Sequence, residues 1–292
     1  MGSLNDPRFT CLMTQNTNHT SAPILITGGT GKTGRRVADR LTALGRPVRI
    51  GSRSAEIPFD WDDRSTWDAA LSGVSAVYLA YAPDAGFPGA AEIIGGFAAR
   101  AAASGVTRMV LLTGRGEEGA ELTEKTVAAV PGVKLTIVRA AVFAQNFSEG
   151  FLAESVQAGV LPFPAGDVAE PFIDVDDIAD VAVAALTDER HIGELYEVTG
   201  PRLLTFAEAA AEVSAVIGRH VEYVPLTPEQ FRDGMVEAGV PSDFAAQLAE
   251  LMREIMDGHN ARLADGVRRA LGREARDFAV YVRDADAAGA WG

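Results

Sequence analysis

Cysteine is nearly absent from this chain. Cys11 is its single instance in 292 residues, which excludes an internal disulfide and a cysteine-built metal site and suits a reducing compartment. Long apolar runs are missing too. No stretch approaches the roughly twenty apolar residues that a membrane helix needs, so no membrane partner is expected. Positive charge is also scarce. Against 26 Lys and Arg stand 40 Asp and Glu, for a net charge of −14. No basic stripe is left to neutralise phosphates, and a nucleic-acid partner is not expected. Residues 1–22 lack the basic start and apolar core of a secretory signal. They are rich in Asn, Thr and Ser and are expected to form a flexible, dispensable tail, with Met13 a candidate start and residues 1–12 an extension. Asn18-His19-Thr20 matches a glycosylation triplet only by chance in a chain without an export signal. The expected location is the cytoplasm.

What is present is ordinary for a globular protein, 47% hydrophobic and 23% charged. The chain turns on the stretch from Ile24 to Leu41. A short apolar run, Ile24-Leu25-Ile26, enters a glycine cluster, and Val37, Leu41 and Leu44 leave it at helical spacing. Gly28, Gly31 and Gly34 fall three apart. Gly28 permits a tight strand-to-helix turn, Gly31 lets the backbone approach a diphosphate, and Gly34 lets helix and strand pack closely. Thr30, Lys32 and Thr33 complete the loop, whose amides and helix dipole suit an anion. An NTPase phosphate loop fits poorly, because it needs four residues between its glycines. Gly28 to Gly31-Lys32-Thr33 leaves two.

Further along, 47–53 reads as a second strand, at whose exit a dinucleotide-binding chain selects its cofactor. An acid there binds the ribose hydroxyls, and an arginine can bind a 2′-phosphate. The sequence supplies Ser52 and Arg53 and no acid until Glu56, so NADP(H) is expected over NAD(H), with Lys32 as a second cation. The plainer alternative makes Arg53 and Lys32 solvated loop residues. Ile57 to Asp63 reads as a short third strand, with Asp60 toward an adenine amino group and Phe59 or Trp61 over the ring. Strands at 76–82, 108–113 and 134–139 alternate with helices at 89–104 and 120–130. That alternation means a doubly wound α/β parallel sheet of the Rossmann kind. Its ligands lie at the carboxyl ends of the strands, around Gly28, Arg53, Ala80, Tyr81, Ala82, Thr113, Gly114, Arg115 and the segment after Arg139.

The second half differs. Phe143, Phe147, Phe151, Phe163 and Phe172 recur through a Gly- and Pro-punctuated region, where aromatics serve the core or a pocket wall. Asp174, Asp176 and Asp177 precede a helix and read as caps and dipole partners, with no metal expected. A strand is expected at 196–200, a capping box at Thr205 to Glu208, and mostly helices from Pro228, broken near Gly239 and Gly258. The expected layout is a dinucleotide-binding core at 23–142. Residues 143–292 complete the sheet at about 172–200 and form a smaller, mainly helical substrate-binding region.

With Thr27 to Gly34, Arg139 to Asn146 and Phe172 to Ile178 in view, the chain resembles the NmrA-like branch of the atypical short-chain dehydrogenases. The likeness runs from about residue 23 to the end. Within the branch, the run Gly28 to Ala38, the strand end Leu111 to Glu117 and Ala144-Gln145-Asn146-Phe147 look like the ergot-alkaloid reductases, which reduce cyclic iminium ions with a nicotinamide cofactor. The resemblance implies cofactor contacts at the glycine loop, Arg53, Asp60, Ala80, Thr113 and Phe143, with Asn146 and Phe147 bordering the substrate. Tyr81, Arg115, Phe151 and Phe172 complete the expected substrate wall. The chain departs from the superfamily at catalysis. Its five tyrosines (Tyr78, Tyr81, Tyr196, Tyr223, Tyr281) have Ala, Ala, Gly, Thr and Ala four residues later, where the usual pair needs Lys. Tyr81, nearest the crevice, is the only candidate acid. Lys125 is a candidate ribose contact or a surface charge. The expected function is an NADPH-dependent reductase passing hydride to an imine, iminium or quinone. The alternative is a non-catalytic NADP(H)-sensing regulator, and in either case a monomer or homodimer whose partner is a small molecule.

Overall fold

A computed structural model describes residues 22–292. The expected tail, apart from its last residue, lies outside the described residues. The chain runs β1 (Ile24–Thr27), α1 (Lys32–Ala43), β2 (Val48–Gly51), α2 (Trp67–Leu71), β3 (Ala76–Leu79), α3 (Ala90–Ala103), β4 (Arg108–Gly114), α4 (Glu118–Ala128) and β5 (Lys134–Ala140). Then come α5 (Phe151–Ala158), β6 (Val160–Phe163), β7 (Ala169–Glu170), α6 (Val175–Thr187), β8 (Leu195–Val198), β9 (Leu204–Thr205), α7 (Phe206–Ile217) and β10 (Glu222–Pro225). Four helices end it: α8 (Pro228–Glu237), α9 (Ser242–Ile255), α10 (Gly266–Leu271) and α11 (Phe278–Ala287).

Six strands form one parallel sheet in the order β2-β1-β3-β4-β5-β8. Side chains alternate across it, as the two-residue strand period requires. Ile24, Ile26 and Tyr78 meet α1 and α6 on one face, while Leu25, Val77 and Leu79 meet α2 and α3 on the other. Strand order reverses between β1 and β3, the topological switch point at which such sheets bind ligands. Thr27 ties the two strands there. Its hydroxyl donates to the Tyr78 carbonyl and accepts from the Ala80 amide, both at 2.9 Å.

Helix starts follow their sequence signals. Thr205 and Glu208 form the reciprocal capping box that opens α7. Asp174 accepts from the Asp176 amide at 2.8 Å and opens α6. Its neighbours face arginines: Asp176 and Asp180 hold Arg40 of α1 at 2.5 and 2.6 Å, and Asp177 holds Arg276.

One expected element is absent. Residues 57–63 form no strand and lead through a short 3-10 turn (Arg64–Thr66) into α2. Pro58 cannot donate to a ladder, and Phe59 instead donates its amide to the Ser52 carbonyl at 3.0 Å. The Phe59 ring is 3% exposed and packs edge-on to Phe97 at 5.3 Å. It is core, and cannot cover an adenine.

Candidate active site

Sterics shape the turn after β1. Gly28 has φ +60°, a left-handed conformation that disfavours a side chain. A Cβ on Gly34 would sit 2.2 Å from the Gly28 carbonyl oxygen, so α1 could not come this close to β1 with any other residue. The α1 N-terminus, unlike those of α6 and α7, has no capping side chain and no acid in its first turn. Its first amides are thus free to meet an anion.

That N-terminus opens into a cleft of about 470 Å³ at the carboxyl ends of β1, β3, β4 and β5. One end is built from Gly28, Gly31, Lys32 and Thr33, and Ala80 to Ala82 follow β3 into it. Thr113 to Arg115 leave β4 along its wall, and Phe143 and Asn146 follow β5. The other end is apolar, closed by Phe163, Phe206, Phe231 of α8, and Phe244, Leu248 and Met252 of α9. Phe163 and Phe206 stack there with ring centroids 4.4 Å apart.

The polar groups along the cleft are mostly held by partners. Lys32 Nζ donates to Asn146 Oδ1 at 2.8 Å, joining the glycine loop to the segment after β5. Burial pulls the Lys32 pKa down, Arg35 and Arg36 add to that, and Glu149 opposes it. Thr113 Oγ1 donates to Glu124 at 2.7 Å. Tyr81 stacks edge-on against Trp61 at 5.3 Å. Burial, then the charge of Asp62, raises its pKa, the reverse of what a neighbouring lysine would do.

Deeper in the wall lies a polar group that the sequence reading found only in part. Arg115 Nη1 donates to the Asn260 carbonyl at 2.8 Å, and its Nε stands 3.5 Å from Glu197. Its Nη2 has no partner in the structure, nor has Glu170 Oε1. Glu170 is 1% exposed, and burial raises its pKa to about 7 although Arg115 and His259 oppose the shift. Glu117, also buried in this wall, is pushed well above the ordinary carboxyl range by burial and by Asp84. Glu117 ends the strand-end run Leu111 to Glu117, from which no role for it was read, and no motif marks Glu170 or Asn260. Each reaches the cleft through tertiary packing, as do Phe244, Leu248 and Met252 of α9.

Of the remaining expected residues, those with described side chains lie off the cleft wall. Thr30 is exposed at the loop tip, and Gly34 lies beneath the turn. Ser52 and Arg53 follow β2, with Arg53 exposed and Ser52 Oγ 3.3 Å from Ser54 Oγ. Asp60 Oδ1 accepts from the Asp62 amide at 3.1 Å, and Trp61 packs on Phe59 at 4.9 Å. Phe147 and Phe172 are fully buried and meet each other edge-on at 5.4 Å. They support the apolar end from behind and do not form its surface, because flanking aromatics from α7 and α11 enclose them. Phe151 opens α5, and its side chain lies outside the described residues. Lys125 is exposed and pairs with Glu121 at 3.3 Å. No helix among the described residues is long and apolar enough to cross a membrane.

Comparison with known proteins bears on this architecture. Residues 124–280 match the model of the NmrA-like family. The chain is 35% identical over 270 residues to the uncharacterized oxidoreductase YesF of Bacillus subtilis, covering 89% of this chain and 94% of that one. It is 32% identical over 281 residues to agroclavine dehydrogenase of Claviceps fusiformis, covering 89% and 96%. The triphenylmethane reductase of Citrobacter sp., solved as a complex with NADP(H), superposes with a TM-score of 0.69 at 23% identity, covering 90% of this chain and 99% of that one.

Proposed function

This chain belongs to the NmrA-like family, and from that premise we propose that it is an NADPH-dependent reductase of a small organic electrophile, an iminium, imine or quinone. One observation carries the reading: an uncapped helix N-terminus and an aromatic-lined apolar chamber open into the same cleft. The first suits a diphosphate and the second a flat organic molecule. A dinucleotide spans such a pair of sites. The glycine loop fits a diphosphate, because Gly28 holds a left-handed φ, Gly34 has no room for a side chain, and Gly31 lines the cleft, where a Cβ would meet only the Gly28 carbonyl, at 3.2 Å.

Gly28, Gly31, Lys32 and Thr33 would hold the diphosphate, with Ala80 to Ala82, Thr113, Gly114 and Phe143 along the rest of the cofactor. When bound, the reduced nicotinamide supplies hydride. Asn146 and Arg115 border the substrate, and the residues of α8 and α9 exclude water and set the electrophile's orientation. Arg53, exposed after β2, would pair with a 2′-phosphate. Agroclavine dehydrogenase by its name and the Citrobacter reductase by its NADP(H) complex support this chemistry for the chain.

The test is anaerobic mixing of the protein and NADPH with a panel of iminium ions, quinones and enones, following loss of the dihydronicotinamide absorbance. Turnover of at least one class supports the reading. Tight NADPH binding with no turnover across the panel would leave the sensing regulator as the better account.

A further inference from the structure

Glu117 stands at the N-cap position of α4 without capping it through its side chain, which instead reaches the cleft wall beside Asp84, which follows β3. Two neighbours without side chains make room for it. A Cβ on Gly114 would lie 1.7 Å from Glu117 Oε1, and one on Gly86 would lie 2.5 Å from Oε2. Glu117 is 5% exposed, and its Oε2 meets no hydrogen-bond donor in the structure. Its neighbour is a second carboxyl, Asp84: the same Cβ position on Gly86 would lie 3.3 Å from Asp84 Oδ1. Asp84 Oδ1 in turn accepts from the Gly86 amide at 2.7 Å. Two carboxylates are acceptors only, so a hydrogen bond between them requires that one carry a proton. The charges acting most strongly on Glu117 are all acidic: Asp84, then Glu254 of α9 and Glu124 of α4. Burial is the larger cause, and together they favour the protonated form of Glu117.

We propose that Asp84 and Glu117 share one proton and that the pair is the acid of the reaction, needed for electrophiles whose reduction leaves charge on oxygen. Asp84, half-buried in the cleft, is the catalytic member that hands the proton over. Glu117 behind it is a positioning residue that keeps the pair singly protonated. This role rests on the reductase reading above. For a conjugated carbonyl the step balances as follows. Hydride from the dihydronicotinamide forms the new C–H bond, the π pair moves to the carbonyl oxygen, and that oxygen takes the proton as the carboxyl O–H bond breaks. The nicotinamide is oxidised and the carbonyl compound reduced, and water returns the proton to the pair. An iminium ion is discharged to a neutral amine by hydride alone and makes no demand on the pair. The missing tyrosine–lysine pair therefore does not restrict this cleft to iminium chemistry.

The experiment has two arms on the full-length protein. In the first, the infrared band of a protonated carboxyl is titrated from about pH 5 to about pH 9 without cofactor or substrate. A band component that persists at neutral pH, survives Glu170→Gln and is lost in Glu117→Gln is expected. In the second, single-turnover rates with NADPH are measured for menadione and for a permanently charged cyclic iminium. Asp84→Asn and Glu117→Gln should each lower the menadione-to-iminium rate ratio about a hundredfold, the low end for a positioned proton donor. Glu117→Asp should restore part of it. The proposal is overturned if the wild type has no such band at neutral pH, or if both variants keep the ratio within a few-fold. If the wild type binds NADPH but reduces neither compound, the reductase reading falls and proton donation with it, while the band still decides whether the pair holds a proton.

Discussion

Arg115 and Asn260 hold each other by two reciprocal hydrogen bonds. Arg115 Nη1 donates to the Asn260 carbonyl at 2.8 Å, and Asn260 Nδ2 donates to the Arg115 carbonyl at 3.0 Å. The residues are 145 apart in sequence, and both are buried. The clasp fixes the loop after α9 against the exit of β4, so the helices that close the apolar end are tied to the sheet. Gly116 makes the approach possible, because a Cβ there would lie 2.2 Å from His259 Nε2. Asn260→Ala removes one of the two bonds and leaves a buried carbonyl without its donor. The expected loss is about 1–3 kcal/mol, read from denaturant melts, with a raised KM for the organic substrate. Unchanged stability and KM would show that the clasp is incidental.

Glu170 makes stability depend on pH with a definite sign. Its pKa rises from the ordinary 4.5 to about 7 in the folded protein, so the folded state binds a proton more tightly than the unfolded chain. The group's contribution is fully present below the unfolded value and is lost as pH climbs to about 7. Glu170→Gln should therefore raise the melting temperature at pH 8 by a few degrees and do little at pH 4. A gain confined to the acid side would contradict the assignment of this carboxyl as buried and neutral.

Arg53 tests the choice of cofactor. A 2′-phosphate can pair with its guanidinium, whereas NADH offers only hydroxyls there. Arg53→Ala should weaken NADPH binding by about 1.5–3 kcal/mol, the range for hydrogen bonds to charged groups, and leave NADH nearly unaffected. Equal losses for both cofactors, measured by calorimetry, would remove Arg53 from this role.

Tyr81 lies in the cleft wall with a raised pKa and Trp61 against its ring. Its phenol is poorly suited to give up a proton at neutral pH, and an iminium substrate asks for none. Tyr81→Phe should keep iminium turnover within a few-fold of the parent protein. Loss of turnover with NADPH binding intact would make Tyr81 the required acid.

Much of this was legible in the residues. The glycine spacing and the apolar run before it specify a turn that allows no side chain at Gly28 or Gly34, and the βα alternation specifies the parallel sheet. The capping signals at Asp174 and Thr205 are local and were read correctly. Ile57 to Asp63 misled because a short apolar run beside a proline looks like an edge strand, and only the Phe59–Ser52 contact shows otherwise. Phe147 and Phe172 carry the same side chain as Phe163, yet they lie behind the wall and Phe163 lies on it. That difference is set by α7 and α11 packing, which no local pattern encodes. The burial of Glu117, Glu170 and Asn260 is set by tertiary packing in the same way. A glutamate on a polar helix start reads as a solvated cap until the fold buries it.

The central claim is hydride transfer from a nicotinamide to carbon, and isotope tracing tests it most directly. NADPH carrying deuterium at the transferable position should be mixed anaerobically with the protein and a cyclic iminium ion, and the amine product analysed by mass spectrometry. The account predicts one deuterium per product molecule, on the former iminium carbon, from one face of the cofactor. An unlabelled product, or no product while NADPH remains bound, would contradict it.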